Sequence, residues 1–230
     1  MTQPVIHGIS SMATRQVLAD LVAGFAQQSG TLATIESVGG VDAAKRVTAG
    51  EAFDVVILAG DAIDKLLAAG HLLPDSKVDW VHSGVALAVP AGAPLPDISS
   101  EDAVREAVLA APSISVSTGP SGVALAQLFE RWGIASDIGS RMVQAPPGVS
   151  VGSLVAKGEV ALGFQQLSEL LHVQGITVVG PLPPAIQITT TFSAGIGAQS
   201  QQVAAARALL TYLASPAAED AKRKQGMQPA

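Results

Sequence analysis

The chain has 230 residues, of which 48% are hydrophobic, 3% aromatic and 14% charged, and its formal net charge is −6. The acidic balance and the lack of a basic stripe argue against nucleic acid or an anionic membrane as the partner. The absence of cysteine excludes disulfides, thiolate metal sites and a cysteine nucleophile.

Short aliphatic runs alternate with longer helical patterns, which is typical of βαβ units with mainly parallel sheets. In the first part of the chain, strands are predicted at Val5–Ile9, Leu32–Glu36, Phe53–Leu58 and Gly84–Pro90. The helices between them are predicted from Ser11 to about Gly30, at Asp42–Gly50 and at Ala62–Ala69.

The second part repeats this alternation. Strands are predicted at Ile114–Ser117, Met142–Gln144, Val160–Phe164, Ile176–Val179 and Ile188–Ile196. Helices are predicted at Ser100–Ala111, Ser121–Trp132, Ser150–Lys157, Leu167–Leu171, Gln202–Ala214 and Pro216–Lys224.

The extended segments 84–90 and 188–196 are separated by about one lobe of βα units, which predicts two lobes. Lobe 1 is expected to be discontinuous, with residues 1–84 and 193–230, and lobe 2 to span 85–192. The two extended segments are then the expected hinge, an arrangement suited to closure on a ligand. A single doubly wound sheet remains the alternative.

The turn after the first predicted strand carries Ser10 and Ser11. A helix that begins just after a strand directs its free N–H groups and the positive end of its dipole toward the crevice beyond that strand. With two hydroxyl donors, the turn is a candidate anion site. In the alternative interpretation, Ser11 only caps the helix.

The second strand is followed by Gly39 and Gly40, which allow the backbone to wrap an oxyanion. A flexible loop with Asp42 as helix cap explains the same residues. Lys45 and Arg46 follow within one turn, where they face either the ligand or solvent.

Thr118, Ser121 and Gly122 occupy the equivalent turn of the second lobe. The pattern mirrors the Ser10–Ser11 turn, so two helix amino termini are expected to face one anion across the cleft.

Gln165 and Gln166 come directly after the Val160–Phe164 strand, where a side-chain amide can donate to a carboxylate or an oxyanion. Ser168 and Glu169 either belong to this site or cap the short helix that follows.

No enzyme motif stands out: the chain has no GxGxxG, P-loop or GxSxG sequence. The four histidines lack metal-ligand spacing, so no metal and no cofactor are expected. His7, His82 and Glu169 are the weak candidates for a catalytic base.

Several stretches, in this order, resemble the type II periplasmic-binding-protein superfamily, and within it the molybdate-binding-protein branch. They are GISSMATRQVLADLVAGF, GGVDAAKRVTAGEAFDVVIL, GPSGVALAQLFERWGI, VGSLVAKGEVALGFQQLSEL and ALLTYLASPAAEDAKRKQGMQP. The resemblance implies a two-lobed α/β fold in which serine hydroxyls and backbone N–H groups hold an oxyanion. Ser10, Ser11 and Ser121 match the family pattern. This chain lacks the serine that the family has in its second turn and the tyrosine that the family usually has near the position of Gln166.

Aconitate isomerase is similar to this branch, so two functions are expected as the main alternatives, and a ligand-sensing domain that regulates a partner protein is a third. The first is the substrate-binding protein of an ABC importer, a monomer that binds a small anionic solute and works with an ABC permease. The second is a cofactor-free isomerase acting on a small polycarboxylate. The protein is expected in the periplasm if an export signal has been removed from this sequence, and otherwise in the cytoplasm, without nucleic-acid binding or membrane insertion.

Overall fold

The computed structural model describes residues 5–146 and 148–230. The chain forms two compact units, and it passes between them after His82 and after Thr190. Unit 1 contains the chain up to His82 and from Thr191 onward, and unit 2 contains Ser83–Thr190. The predicted lobe boundaries, after residues 84 and 192, lie two residues further along the chain.

Unit 1 is built on a sheet with the strand order β2-β1-β3-β9. Its strands are β1 (Val5–Ser11), β2 (Leu32–Val38), β3 (Val55–Ala59), the first part of β4 (Val78–Pro90), most of β9 (Thr189–Ile196), and β10 (Met227–Pro229), which pairs with β4. Its helices are α1 (Arg15–Ser29), α2 (Gly40–Thr48), α3 (Gly60–Ala68), α9 (Val203–Leu213) and α10 (Glu219–Lys224). β1 pairs in parallel with β2 and β3, whereas β9 is antiparallel to β3.

Side-chain alternation gives the unit 1 sheet two buried faces. On one face, Ile6 packs with core residues of α1 and α9 such as Leu18 and Leu209. On the other face, Ile9 packs with residues of α2 and α3, including Val47. Because β1, β2 and β3 are parallel, their carboxyl ends meet at one edge of this sheet, where α1, α2 and α3 begin.

Unit 2 is built on the second part of β4 and on four further strands: β5 (Ile114–Val116), β6 (Met142–Gln144), β7 (Leu162–Gln166) and β8 (Ile176–Pro181). Its helices are α4 (Glu101–Ala110), α5 (Pro120–Arg131), α6 (Ala135–Ile138), α7 (Val151–Ala156) and α8 (Leu167–Leu170). β5 is parallel to both β6 and β7, so these three strands also end at one edge. β4 is antiparallel to β7 and β8.

Three differences from the sequence-based elements affect the site. β4 begins at Val78 and not at Gly84, because Trp80 and Val81 are fully buried and extend the strand backward. β7 includes Gln165 and Gln166, which were expected to follow the strand. α2 begins at Gly40, so both glycines lie at the start of the helix and not in a loop before Asp42.

Candidate functional site

At the edge of unit 1, Ser10 and its neighbour Ser11 lie on opposite faces of the sheet. Ser10 is fully buried, and its Oγ lies 2.7 Å from Oγ of Ser37 on β2. The alternation along β1 places Ser10 on the α1 side together with Ile6, and Ser11 on the α2 side together with Ile9. Ser10 therefore joins two strands, and Ser11 is the serine that is turned toward α2.

Ser11 begins the first helical turn and also approaches α2. Its Oγ accepts a hydrogen bond from Ala13 N at 3.3 Å, so the predicted capping role is present. The same Oγ lies 3.7 Å from the position that a Cβ on Gly40 would occupy. The first and second turns of the sequence are thus brought together within unit 1.

The amino terminus of α2 is open. Gly39 precedes the helix without a side-chain cap, and the backbone N–H groups of Gly40, Val41 and Asp42 have no acceptor among the described residues. The Asp42 carboxylate lies close to Gly39, 3.3 Å from its Cβ position, but accepts no backbone hydrogen bond from the described part of the chain. These N–H groups are available to an anion.

The two cations that follow are engaged by carboxylates. Arg46 donates to Glu36 at 2.7 and 3.0 Å and to Glu51 at 2.6 and 2.5 Å. These bonds raise the pKa of Arg46 and lower the pKa of both carboxyls. Lys45 is exposed, with its Nζ 3.9 Å from Asp42.

In unit 2, the turn between β5 and α5 holds two serine hydroxyls together. Ser117 Oγ lies 3.1 Å from Ser121 Oγ, and Ser121 is buried, whereas Thr118 is exposed. Gly119 precedes the 12-residue helix α5 without a side-chain cap, and the N–H of Ser121 has no acceptor among the described residues. This amino terminus is therefore open, as that of α2 is.

Gly122 has a structural reason to be glycine. A Cβ at this position would lie 1.7 Å from the carbonyl oxygen of Ser117. The close approach of α5 to the end of β5 depends on the absence of that atom. The structure thus gives Gly122 a part in shaping the turn.

The amino terminus of α7 differs, because side chains close it. Ser150 Oγ accepts from Ser153 N at 3.1 Å, and Gln165 Oε1 accepts from Gly152 N at 3.0 Å. Gln165 is buried, and both ends of its amide have protein partners, since its Nε2 donates to Glu169. The structure therefore engages Gln165 within unit 2.

Glu169 is the titratable group at the edge of unit 2 whose pKa is shifted furthest. Its side chain is half-buried, and its Oε1 accepts from Gln165 Nε2 at 2.8 Å. Burial raises the pKa of Glu169 to about 7, against the opposing effect of the hydrogen bond from Gln165. A carboxyl with such a pKa can take up and release a proton near neutral pH.

Gln166 is buried and has one free polar atom. Its Nε2 donates to Thr190 Oγ1 at 2.8 Å, while its Oε1 has no partner among the described residues. Because the Thr190 hydroxyl both donates and accepts, the amide can present either its oxygen or its NH₂ group to a ligand.

The two histidines that are candidates for a catalytic base lie at different distances from the edge of unit 1 at which its parallel strands end. His7 is exposed in the amino half of β1, three residues before the serines at its carboxyl end. His82 is half-buried, with Nδ1 2.9 Å from Thr191 Oγ1. The Thr191 carbonyl oxygen lies 3.6 Å from the Cβ position of Gly60, at the start of α3. Because His82 contacts Thr191, it lies beside the edge of the sheet at which α3 begins.

Ser37 and Ser117 are site residues that sequence reasoning did not single out. Each lies two residues before a glycine turn and forms a hydrogen bond with a serine that was predicted to belong to the site. The sequence feature that could have identified them is a polar residue at the end of a predicted strand. Among the described residues no group of three or more His, Cys, Asp and Glu side chains is arranged to hold a metal ion. None of the helices in the described part of the chain is long and apolar enough to cross a membrane.

Comparison with known proteins gives a family and a relative. The family model of bacterial extracellular solute-binding proteins matches residues 6–228. An aconitate isomerase from a Pseudomonas species is 44% identical over 187 residues, which covers 80% of this chain and 70% of the relative.

Solved structures share the fold at low sequence identity. The periplasmic molybdate-binding protein of Azotobacter vinelandii aligns with a TM-score of 0.80 and 22% identity over 96% of this chain and 98% of its own. A sulfate-binding protein from Mycobacterium tuberculosis aligns with a TM-score of 0.81 and 17% identity over 99% and 88%. These alignments confirm the predicted two-lobed α/β fold of the type II periplasmic-binding proteins. The chain belongs to the bacterial extracellular solute-binding proteins.

Proposed function

We propose that this protein binds a small anion at the serine-lined strand ends of its two units and delivers it to an ABC importer outside the cytoplasmic membrane. The observation that carries the proposal is the pair of open helix amino termini. α2 and α5 both follow a glycine that supplies no side-chain cap, and both begin beside serine hydroxyls. Among the described residues, α2 keeps the free backbone N–H groups of Gly40, Val41 and Asp42, and α5 keeps that of Ser121. Such termini stabilise negative charge even in a chain whose net charge is −6.

The amino terminus of α7 differs from those of α2 and α5, because Ser150 and Gln165 satisfy two of its N–H groups and leave less for an anion. Glycine in place of a capping side chain lowers the stability of α2 and α5 by only a few tenths of a kcal/mol each, roughly, so the open termini cost the fold little. The family match and the anion-binding names of the structural neighbours point in the same direction.

A thermal-shift screen with molybdate, tungstate, sulfate, citrate and the two aconitate isomers tests the proposal. At least one of these anions should raise the melting temperature in a concentration-dependent way, since a ligand that binds only the folded state stabilises it by about 2.7 kcal/mol at 100 times its Kd. The absence of any shift at millimolar concentrations of all six anions would contradict anion binding.

An isomerase acting on a small polycarboxylate is the second candidate, and Glu169 favours it. Moving a double bond along a carboxylate skeleton takes a proton from the carbon next to the double bond and returns one at the far end, so a single base can serve both steps. With a pKa of about 7, Glu169 can do this near neutral pH. The aconitate isomerase relative, at 44% identity, adds support.

Incubation with trans-aconitate followed by NMR separates the two functions. An isomerase produces the cis isomer at a rate that rises with pH through about 7, because the base must be ionised, and Glu169→Gln should abolish turnover while binding persists. Binding without turnover at any pH would leave the receptor as the function.

A further inference from the structure

A groove of about 400 Å³ lies between α1 and β2 in unit 1, away from the α2 side of the sheet on which Ser11 lies. Six residues line it: Arg15, Leu18, Ala19 and Val22 from α1, and Ile35 and Ser37 from β2. Its volume is within the range of small-molecule sites.

The groove exists because β2 is at the edge of the sheet. β2 is paired with β1 on one side and with no strand on its other side among the described residues. Leu18 and Val22, one helical turn apart, face Ile35 across the groove, and Val22 and Ile35 remain half-buried. The walls are therefore aliphatic, and the Ser37 hydroxyl on the floor is already bonded to Ser10.

Arg15 supplies the only charge among the lining residues. It is exposed and has no carboxylate or carbonyl partner within the described part of the chain, in contrast to Arg46, which holds two carboxylates. A free guanidinium beside an aliphatic wall is complementary to a ligand with a carboxylate head and a hydrocarbon tail.

We propose that this α1–β2 groove is a second binding site, on the α1 side of the sheet and bordered by the Ser10–Ser37 pair, for a small aliphatic monocarboxylate. The carboxylate binds the Arg15 guanidinium, and the hydrocarbon chain lies on Val22 and Ile35, which remain partly exposed above the buried Leu18. The proposal does not depend on which anion the serine turns hold, or on whether that anion is converted.

Titration with acetate, butyrate, hexanoate and octanoate, each below its micelle concentration, tests the site by two-dimensional NMR of the whole protein. The amide signals of α1 and β2 should shift, and octanoate should bind at least about tenfold more tightly than butyrate, since each fully buried methylene contributes about fourfold. Arg15→Gln should weaken octanoate binding at least about fivefold. Arg207→Gln, which changes an exposed arginine of α9 in the same unit, is the matched control and should leave it unchanged.

A second variant, Val22→Asp, places a negative charge on the wall and should abolish octanoate binding without affecting the anion of the serine turns. Ser11→Ala should leave octanoate binding intact. Affinity that is independent of chain length, shifts confined to residues outside α1 and β2, or binding that survives both Arg15→Gln and Val22→Asp would each overturn the assignment.

Discussion

The strand ends of unit 1 and unit 2 are built from the same parts, but they differ in what they can do chemically. In both units, parallel strands end at one edge, a pair of serines is hydrogen-bonded there, and the N-cap residue of an uncapped helix is a glycine. In unit 1, Ser11, Gly39 and Gly40 offer neutral donors only. In unit 2, Glu169 adds a carboxyl with a pKa of about 7.

This difference separates the requirements of binding from those of catalysis. An anion needs oriented donors, which both edges supply through backbone N–H groups and hydroxyls. Proton transfer also needs an acid or base group, and the edges differ in their candidates: unit 2 has Glu169, whose pKa is about 7, and His82 lies beside the edge of unit 1. A binding function can use the donors of either edge, whereas the proposed isomerase function uses Glu169 as its base.

We expect the largest effect from Gly122→Ala, which disrupts the turn between β5 and α5 at the edge of unit 2. The new Cβ would lie 1.7 Å from a backbone oxygen, so α5 or the end of β5 must move. We expect a loss of about 3 kcal/mol or more in the free energy of unfolding, measured by urea denaturation. Gly139→Ala is the control: no atom lies within 4 Å of its Cβ position and its φ is −53°, so it should be neutral or slightly stabilising. Equal stability of the two variants would contradict the packing of this turn.

Much of the architecture follows from local pattern. The aliphatic runs at β3 and β5 and the helical periodicity of α1 were sufficient to predict the elements, and the order of the strand-to-helix turns predicted the fold. The backward extension of β4 was missed because Trp80 and His82 interrupt the aliphatic run, although Trp80 is fully buried.

The site was harder to predict than the fold, because its geometry depends on pairing. Sequence reasoning grouped Ser10 with Ser11, but strand alternation separates them, and Ser10 bonds to Ser37, which is 27 residues away. From the sequence, the Gln165 amide was expected to be free to donate to a ligand. In the structure it accepts a hydrogen bond at the amino terminus of α7 and donates one to Glu169. Neither the strand register nor the burial that raises the pKa of Glu169 is visible in a sequence.

Glu169→Gln should give the next largest effect and tests the titratable group directly. The folded-state pKa of about 7 lies above the ordinary value of 4.5, so between these pH values the folded protein binds more protons than the unfolded chain. Stability should therefore fall as pH rises through this window. Glutamine removes that cost, and the variant should be about 1–3 kcal/mol more stable than the parent at pH 8 but nearly equal to it at pH 4.5.

Urea denaturation at the two pH values measures this difference. Glu106→Gln, which changes an exposed carboxyl of α4 in the same unit, is the matched control and should not produce the same divergence between pH 4.5 and 8. A Glu169→Gln variant that gains no stability at pH 8 would show that the carboxyl is solvated and does not titrate near 7.

The double variant Ser11→Ala with Ser121→Ala tests whether the serine turns donate to the proposed anion. We expect affinity for the stabilising anion to fall at least tenfold, about 1.4 kcal/mol, by isothermal titration. Each single variant, tested alone, shows which of the two turns contributes to the affinity. Thr48→Ala with Ser136→Ala, which removes two exposed hydroxyls at a distance from the turns, is the control pair. Unchanged affinity in the double variant would limit both serines to structural roles, Ser11 as a cap and Ser121 as the partner of Ser117.

We expect the smallest effect from Arg46→Gln, which tests whether the edge of unit 1 binds an anion with neutral donors alone. Glu36 and Glu51 hold the Arg46 guanidinium, so it has little charge left to offer an anion. Affinity for the anion should change by less than about twofold. Arg46→Lys separates charge from geometry, because lysine keeps the charge but cannot hold both carboxylates in the same way. If Arg46→Gln weakens binding tenfold while Arg46→Lys does not, the edge of unit 1 uses a positive charge to bind the anion. The two edges would then no longer differ in the way described, with neutral donors in unit 1 and the titratable Glu169 in unit 2.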